Sequence, residues 1–337
     1  MDIKIIIEKN IPFIQGLLDA VADVRYLPAE DITASAMRDA DALITRTRTR
    51  CDATLLDGSR CRFIATATIG TDHIDLDYCR SHGITVANAP GCNAPAVAQY
   101  VFASIARFME LHGITGRPTI GIIGVGHVGS IVARWAEQTG MHVLACDPPR
   151  ADNEGSKDFV DMETIARESD IITFHTPLTR DGKYPTWHLC DLSFLNLTGR
   201  TPLIINCARG AITDTAALIE ALDNGKVKDA VIDCWENEPA ISSGLLRRAL
   251  IATPHIAGYS REGKIRATSM ALQAICRHFN LPETDVPEKV PAGASAHVSL
   301  EKIAASYDPA RDTAALRNAP DTFELLRNNY RLRNEVK

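Results

Sequence analysis

No stretch of this 337-residue sequence approaches the roughly 18 consecutive apolar residues that a membrane span requires. No basic tail or stripe stands out among 36 basic and 42 acidic side chains either. The first lack predicts a soluble globular protein with no membrane partner. The second, with a formal charge of -6, predicts no nucleic-acid partner, because a phosphate backbone calls for clustered Lys and Arg. The opening MDIKIIIEKN lacks the long apolar region and cleavage site of a signal peptide. Nine cysteines occur without a single C-x-x-C pair, mostly inside apolar segments. That pattern predicts reduced core thiols in a cytoplasm and no metal site. There is no internal repeat and no low-complexity segment.

What is present is an alternation of short β-branched runs with helical stretches. IKIII at 3–7, ALIT at 42–45, FIATAT at 63–68 and ITVAN at 84–88 read as strands, and Pro12 to Val21 reads as a helix. After Pro118 the rhythm restarts with TIGIIG, HVLACD, DIITFH, LIINCA, DAVIDC and LIATPH, with helices from about Val128, near Met162 and from about Asp214. Apolar helices are expected from Ala94 to about Met109 and from Glu262 to about Phe279. The pattern predicts an α/β protein with two parallel sheets in series. From Leu281 a Pro-rich connection leads into a charged tail with too few apolar residues for a core of its own.

Gly124-Val125-Gly126-His127-Val128-Gly129 follows one predicted strand and opens a helix, the context in which three spaced glycines bind a dinucleotide. The first allows a tight turn, the second admits a pyrophosphate, the third lets helix and strand touch, and the amides of His127 and Val128 face the anion. Asp147, 18 residues past Gly129 at the end of HVLACD, stands where a carboxylate accepts the adenosine ribose hydroxyls. A carboxylate there repels a 2'-phosphate and favours NAD over NADP, although Arg150 close by argues the other way.

Arg209, Glu238 and His255 each sit just past a predicted strand of the second sheet, where parallel sheets place their ligands. A guanidinium matches a carboxylate with two parallel donors, and an imidazole takes a hydroxyl proton near neutral pH. A glutamate bonded to that imidazole fixes its tautomer. Singly, each has an ordinary alternative: a surface arginine, a helix-start acid before Pro239, a core histidine beside Pro254. Glu236 competes with Glu238 on spacing alone. Asp233 reads as a polar contact to a nicotinamide amide.

GVGHVG, HTPLT, INCARG, DCWENEP and PHIAGYS, in this order, resemble the D-isomer-specific 2-hydroxyacid dehydrogenases, over nearly all of residues 1–280. The resemblance implies that Arg209 binds the substrate carboxylate, that Glu238 supports the histidine and that His255 is the acid/base, with hydride passing to NAD. It implies two Rossmann-like domains: a split substrate domain of residues 1–93 and 259–280, an NAD-binding domain of 94–258, and a short C-terminal dimerisation region, 281–337, of a homodimer.

A narrower likeness lies in ATATIGTDHID, PGCNAPAVAQYV, DGKYPTWHL and GYSREGK, which look like the branch of that family that oxidises 4-phospho-D-erythronate to 2-oxo-3-hydroxy-4-phosphobutanoate in vitamin B6 biosynthesis. It implies substrate contacts at Thr47, Thr68 and Tyr259, and cofactor contacts at Thr176, Asp233 and Gly258. TRTRTR places Arg46, Arg48 and Arg50 on alternate positions of what reads as an extended segment, a face for a phosphate dianion, with Arg46 nearest the strand. A solvated edge is the other reading. A phosphoglycerate dehydrogenase and a dinucleotide-sensing protein without turnover are the rival functions.

Overall fold

The computed structural model describes residues 3–337, which divide into two compact units. The first combines Met1–Asn93 with Ser260–Ala292. Its strands are β1 (Lys4–Glu8), β2 (Asp23–Leu27), β3 (Ala42–Thr45), β4 (Phe63–Thr66) and β5 (Thr85–Ala87), all parallel, in the order β2-β1-β3-β4-β5. The period of two along each strand sorts its side chains onto opposite faces. Ile5, Ile7, Ile44 and Phe63 pack on one face with Ile265, Leu272 and Ile275 of the helix Arg261–Phe279. Ile6, Leu43 and Ile64 pack on the other with Met37, Leu55 and Leu56. Burial on both faces is why these strands read as unbroken apolar runs.

Pro12 to Val21 is not a helix, contrary to its apolar spacing. Phe13 (φ 63°) and Gly16 (φ 80°) are left-handed, and the chain closes successive turns through Leu17 N–Ile14 O and Val21 N–Leu18 O. Ile14 and Leu18 are buried, reaching the core from turns. The strand that follows, β2, alternates exposed and half-buried residues at a sheet edge and carries little apolar signal.

The second unit combines Ala94–Tyr259 with Gly293–Lys337. Its strands are β6 (Thr119–Ile123), β7 (His142–Cys146), β8 (Ile171–Phe174), β9 (Leu203–Asn206), β10 (Asp229–Ile232) and β11 (Ile251–Ala252), again all parallel, in the order β11-β10-β9-β8-β6-β7. The first strand in sequence, β6, lies between β7 and β8, so the winding reverses there. Such a switch point opens a crevice at the strands' carboxyl ends. Among the described residues no helix is long and apolar enough to cross a membrane.

Residues 281–337 do not form a body of their own. Residues 281–292 belong to the first unit and 293–337 to the second. Thr313 Oγ1 accepts the Ala252 amide at 3.0 Å on β11, and Leu316 and Phe323 join Trp235, Leu245 and Ala252 in one core cluster. Ile303 and Val336 join Tyr100 and Phe102 in the other. The tail is poor in apolar residues because it completes cores begun elsewhere. Arg333 donates to the carbonyls of Ile256 at 3.0 Å, Tyr259 at 3.2 Å, Ala96 at 3.1 Å and Ala257, with its guanidinium over the Tyr307 ring.

Candidate active site

The glycine turn has three distinct constraints. Gly124 is left-handed (φ 86°), and a β-carbon on it would meet Thr176 Cγ2 at 2.8 Å and the His175 carbonyl carbon at 2.9 Å. One on Gly129 would meet the Gly124 carbonyl oxygen at 2.0 Å. Gly126, the residue before the helix His127–Gln138, has nothing within 4 Å of that position. Two of the glycines let backbones touch, and the third leaves space in front of the first amides of a 12-residue helix. The positive end of its dipole and the His127 and Val128 N–H groups favour an anion there. Thr176 Oγ1, beside Gly124, is buried with no hydrogen-bond partner. An orphaned hydroxyl at that position fits a cofactor that brings the missing partner.

Asp147 follows β7 and caps the helix Pro148–Glu154, its Oδ1 accepting the Arg150 amide at 3.1 Å and its Oδ2 the Val125 amide at 2.8 Å. Each carboxylate oxygen keeps a lone pair for a ribose hydroxyl. The Arg150 side chain is held by Glu154 through two bonds, at 2.8 and 2.6 Å, and by the Val125 carbonyl at 2.8 Å. That engagement resolves the conflict between Asp147 and Arg150 in favour of NAD. Asp147→Ala is expected to raise the KM for NAD about tenfold or more, the effect of losing hydrogen bonds to a charged acceptor, and to narrow the preference over NADP. Steady-state kinetics with both cofactors check it; an unchanged NAD/NADP ratio would contradict the assignment.

At the end of β9, Asn206 shapes the next turn. Its side chain donates to the Arg209 carbonyl at 2.9 Å and accepts the Ala208 amide at 3.1 Å. A β-carbon on Gly210 would lie 1.9 Å from the Trp235 carbonyl oxygen, so the turns after β9 and β10 meet backbone to backbone. Past β10, Glu238 Oε1 accepts the Trp235 amide at 2.8 Å, while the Trp235 indole donates to the Thr253 carbonyl at 2.9 Å. Past β11, His255 is left-handed (φ 57°), its amide donating to the Asp233 carbonyl at 2.9 Å.

His255 Nδ1 and Glu238 Oε2 are 2.9 Å apart. Arg209, Glu238 and His255 all line one cavity of about 340 Å³, together with Arg180 and Trp187. Burial pushes the Glu238 carboxyl up, but its bond to His255, the imidazole charge and the Trp235 amide outweigh that and hold it below the usual carboxylate range. An ionised Glu238 accepts the Nδ1 proton and leaves Nε2 as the nitrogen that exchanges protons.

Glu236 has other partners: His188 Nε2 at 2.8 Å and the Thr215 amide at 2.9 Å. The carboxylate at His255 is therefore Glu238. Asp233 is almost fully buried and organises the turn behind the histidine, accepting from Thr253 Oγ1 at 2.7 Å and from the Ile256 and Ala257 amides at 2.7 and 3.0 Å. Burial pushes its carboxyl up against the pull of His255 and these donors. Gly258 follows in the same loop, and the Tyr259 ring lies 6.1 Å from that of Tyr330. Cys234, Glu238 and His255 place ligand atoms within 4.8 Å of one another, close enough for a metal ion. Burial keeps the Cys234 thiol protonated, and the other two already bond each other.

The first unit holds the other predicted substrate residues, with one change. TRTRTR is not extended: β3 stops at Thr45 and a turn follows. The cause is Glu8, a fully buried carboxylate whose Oε2 takes the Arg46 amide at 3.0 Å and lies 3.4 Å from Thr45 Oγ1 and 3.5 Å from Thr49 Oγ1. The arginines therefore diverge, Arg46 to the Asn10 carbonyl at 2.8 Å and Arg50 to Asp52 at 2.7 Å, with Arg48 exposed and Thr47 at the turn surface. Past β4, Thr68 Oγ1 lies 2.6 Å from Thr66 Oγ1, which lies 3.2 Å from His73 Nε2. Asn206, Thr253, Trp235 and Arg333 escaped the sequence reading. Asn206 and Trp235 stood inside motifs already quoted, while Arg333 had no local signal.

A family model described as "D-isomer specific 2-hydroxyacid dehydrogenase, NAD binding domain" matches residues 103–257. The chain is 49% identical over 341 residues to an erythronate-4-phosphate dehydrogenase of Bacteroides thetaiotaomicron, covering 99% of this chain and 97% of the relative. It is 41% identical over 347 residues to one of Porphyromonas gingivalis, covering 99% and 94%. A D-lactate dehydrogenase of Aquifex aeolicus, solved with NAD and lactic acid, has the same fold at a TM-score of 0.68 and 24% identity, covering 82% of this chain and 95% of that one.

Proposed function

Since the chain belongs to the erythronate-4-phosphate dehydrogenases, a branch of the D-isomer-specific 2-hydroxyacid dehydrogenases, we propose how its own residues carry out that family's reaction. The protein is an NAD-dependent dehydrogenase that oxidises 4-phospho-D-erythronate to 2-oxo-3-hydroxy-4-phosphobutanoate for vitamin B6 biosynthesis. The observation that carries the proposal is the 2.9 Å His255–Glu238 pair lining the same cavity as Arg209.

Arg209 binds the substrate carboxylate through two parallel N–H donors and fixes C2 relative to the imidazole. His255 Nε2 takes the proton of the 2-hydroxyl. Glu238 holds the ring in the tautomer that leaves Nε2 open, and its charge balances the imidazolium that forms. NAD, when bound, accepts the hydride from C2. The amides of His127 and Val128, the open space at Gly126, Asp147, Thr176, Asp233 and Gly258 hold it, while Gly124 and Gly129 shape the turn. Thr47, Thr68 and Tyr259 contact the substrate; Arg46, the phosphate candidate that the sequence offered, donates a guanidinium N–H to the Asn10 carbonyl. The protein acts as a homodimer in the cytoplasm; nine buried free thiols suit a reducing compartment.

NADH formation from 4-phospho-D-erythronate and from 3-phosphoglycerate, side by side, with a 2-oxo acid present to reoxidise cofactor, tests the reading. The expected result is a clear preference in kcat/KM for the four-carbon acid. Turnover of 3-phosphoglycerate alone would make the protein a phosphoglycerate dehydrogenase. NAD binding with no turnover of either acid would make it a sensor.

A further inference from the structure

The segment DGKYPTWHL, residues 181–189, builds a platform at the cavity wall. Thr186 Oγ1 accepts the Thr179 amide at 2.8 Å and donates to the Pro177 carbonyl at 2.6 Å, and the Trp187 amide donates to the Thr179 carbonyl at 2.9 Å. These bonds close a tight loop and present the Trp187 ring. The His188 ring is stacked on it at 4.6 Å and 20°, and is anchored through Nε2 to Glu236 at 2.8 Å. The Arg180 guanidinium carbon lies over the indole, 3.3 Å from the ring centroid.

Arg180, Trp187, Arg209 and His255 line the same cavity. Among the described residues Arg180 makes no ion pair, and its guanidinium rests on the indole face. A guanidinium stacked on an aromatic ring keeps its N–H donors in its own plane, directed past the ring edge. That is a preorganised fork for two oxygens of one anion. The substrate assigned above has two anionic ends, and Arg209 accounts for the carboxylate.

We infer that Arg180, held on Trp187, receives the phosphate end of the substrate and sets the preference for a phosphorylated 2-hydroxy acid. The inference rests on the proposed function and deepens it. Arg180 is a specificity residue: it binds the end remote from C2 and takes no part in proton or hydride transfer.

The test compares Arg180→Gln, Arg180→Lys, Trp187→Leu and Arg46→Gln with the wild type. The readouts are kcat and KM for 4-phospho-D-erythronate, KM for NAD, and inhibition by inorganic phosphate and by unphosphorylated D-erythronate. Arg180→Gln is expected to raise the KM for the phosphorylated acid and the Ki of phosphate at least about tenfold, the loss of one charge-assisted contact. It should leave kcat within about threefold and leave the Ki of D-erythronate and the KM for NAD unchanged. Arg180→Lys should recover part of the loss, and Trp187→Leu should move KM in the same direction by less. The inference is overturned by a KM within twofold of wild type, by equal losses for phosphate and D-erythronate, by a raised KM for NAD, or by Arg46→Gln alone carrying the effect. If the wild type fails to oxidise 4-phospho-D-erythronate, the proposed function has failed. Calorimetric titration of inorganic phosphate into wild type and Arg180→Gln with NAD present then still decides whether Arg180 binds phosphate.

Discussion

Replacing His255 by asparagine should lower kcat for 4-phospho-D-erythronate by about 10²- to 10⁴-fold, the range that a positioned acid/base contributes. Asparagine is the informative choice because His255 is left-handed, at φ 57°. Asparagine tolerates that backbone better than most residues, so the substitution removes the imidazole with little added strain. The remaining Asn can still donate to Glu238, which keeps that buried carboxylate partnered. NAD binding, followed by fluorescence, and the melting temperature should stay close to wild type. A His255→Asn enzyme that retains more than a tenth of the wild-type kcat would remove His255 from its role and with it the proposed chemistry.

The second large effect concerns a residue with no chemistry of its own. A methyl group on Gly210 would sit 1.9 Å from the carbonyl oxygen of Trp235 and 2.0 Å from its carbonyl carbon. No side-chain rotation relieves that contact, because both partners are backbone. Gly210→Ala must push apart the turn that carries Arg209 and the turn that carries Glu238. The expected cost is about 3 kcal/mol or more, at the severe end for an overpacking substitution, which corresponds to roughly 6–12 °C in melting temperature for a unit of this size. Displacing catalytic groups by about an ångström costs on the order of 10² in rate, so kcat/KM should fall at least that far even where the protein is folded. Gly126→Ala is the matched control, since nothing lies within 4 Å of its added carbon. It should melt like the wild type in the absence of NAD and bind NAD more weakly, because the methyl enters the space left for the pyrophosphate. Equal melting temperatures for Gly210→Ala and wild type would show that the two turns do not need this contact.

The legible parts of the sequence were those whose determinants are local. A glycine turn between a strand and a helix, an acid 18 residues on, and three polar residues each just past an apolar run are short patterns, and the fold positions them as the patterns imply. The illegible parts depend on contacts from elsewhere in the chain. Pro12 to Val21 has helical spacing, yet Phe13 and Gly16 take left-handed conformations that end a helix before it starts. TRTRTR looks extended until the buried Glu8 carboxylate, nearly forty residues earlier, draws its amide and hydroxyls into a turn. The tail looked like a separate appendage because its few apolar residues were counted alone, although Leu316 and Phe323 were bound for a core already built. Glu236 and Glu238 could not be separated by spacing, and were separated once His188 was seen holding the first.

Arg333 ties the order of synthesis to the order in which the histidine loop is fastened. The carbonyls it gathers belong to Ile256 and Tyr259, 77 and 74 positions earlier, and to Ala96, 237 positions earlier. A ribosome delivers the strands, the glycine turn and the histidine loop long before it delivers the residue that fastens that loop. Contacts of such long sequence separation form late, because the loop-closure entropy must be met before they stabilise anything. A nascent chain of this protein therefore holds its histidine loop by the Asp233 contacts alone until residue 333 has been made and can reach the Ile256 and Tyr259 carbonyls.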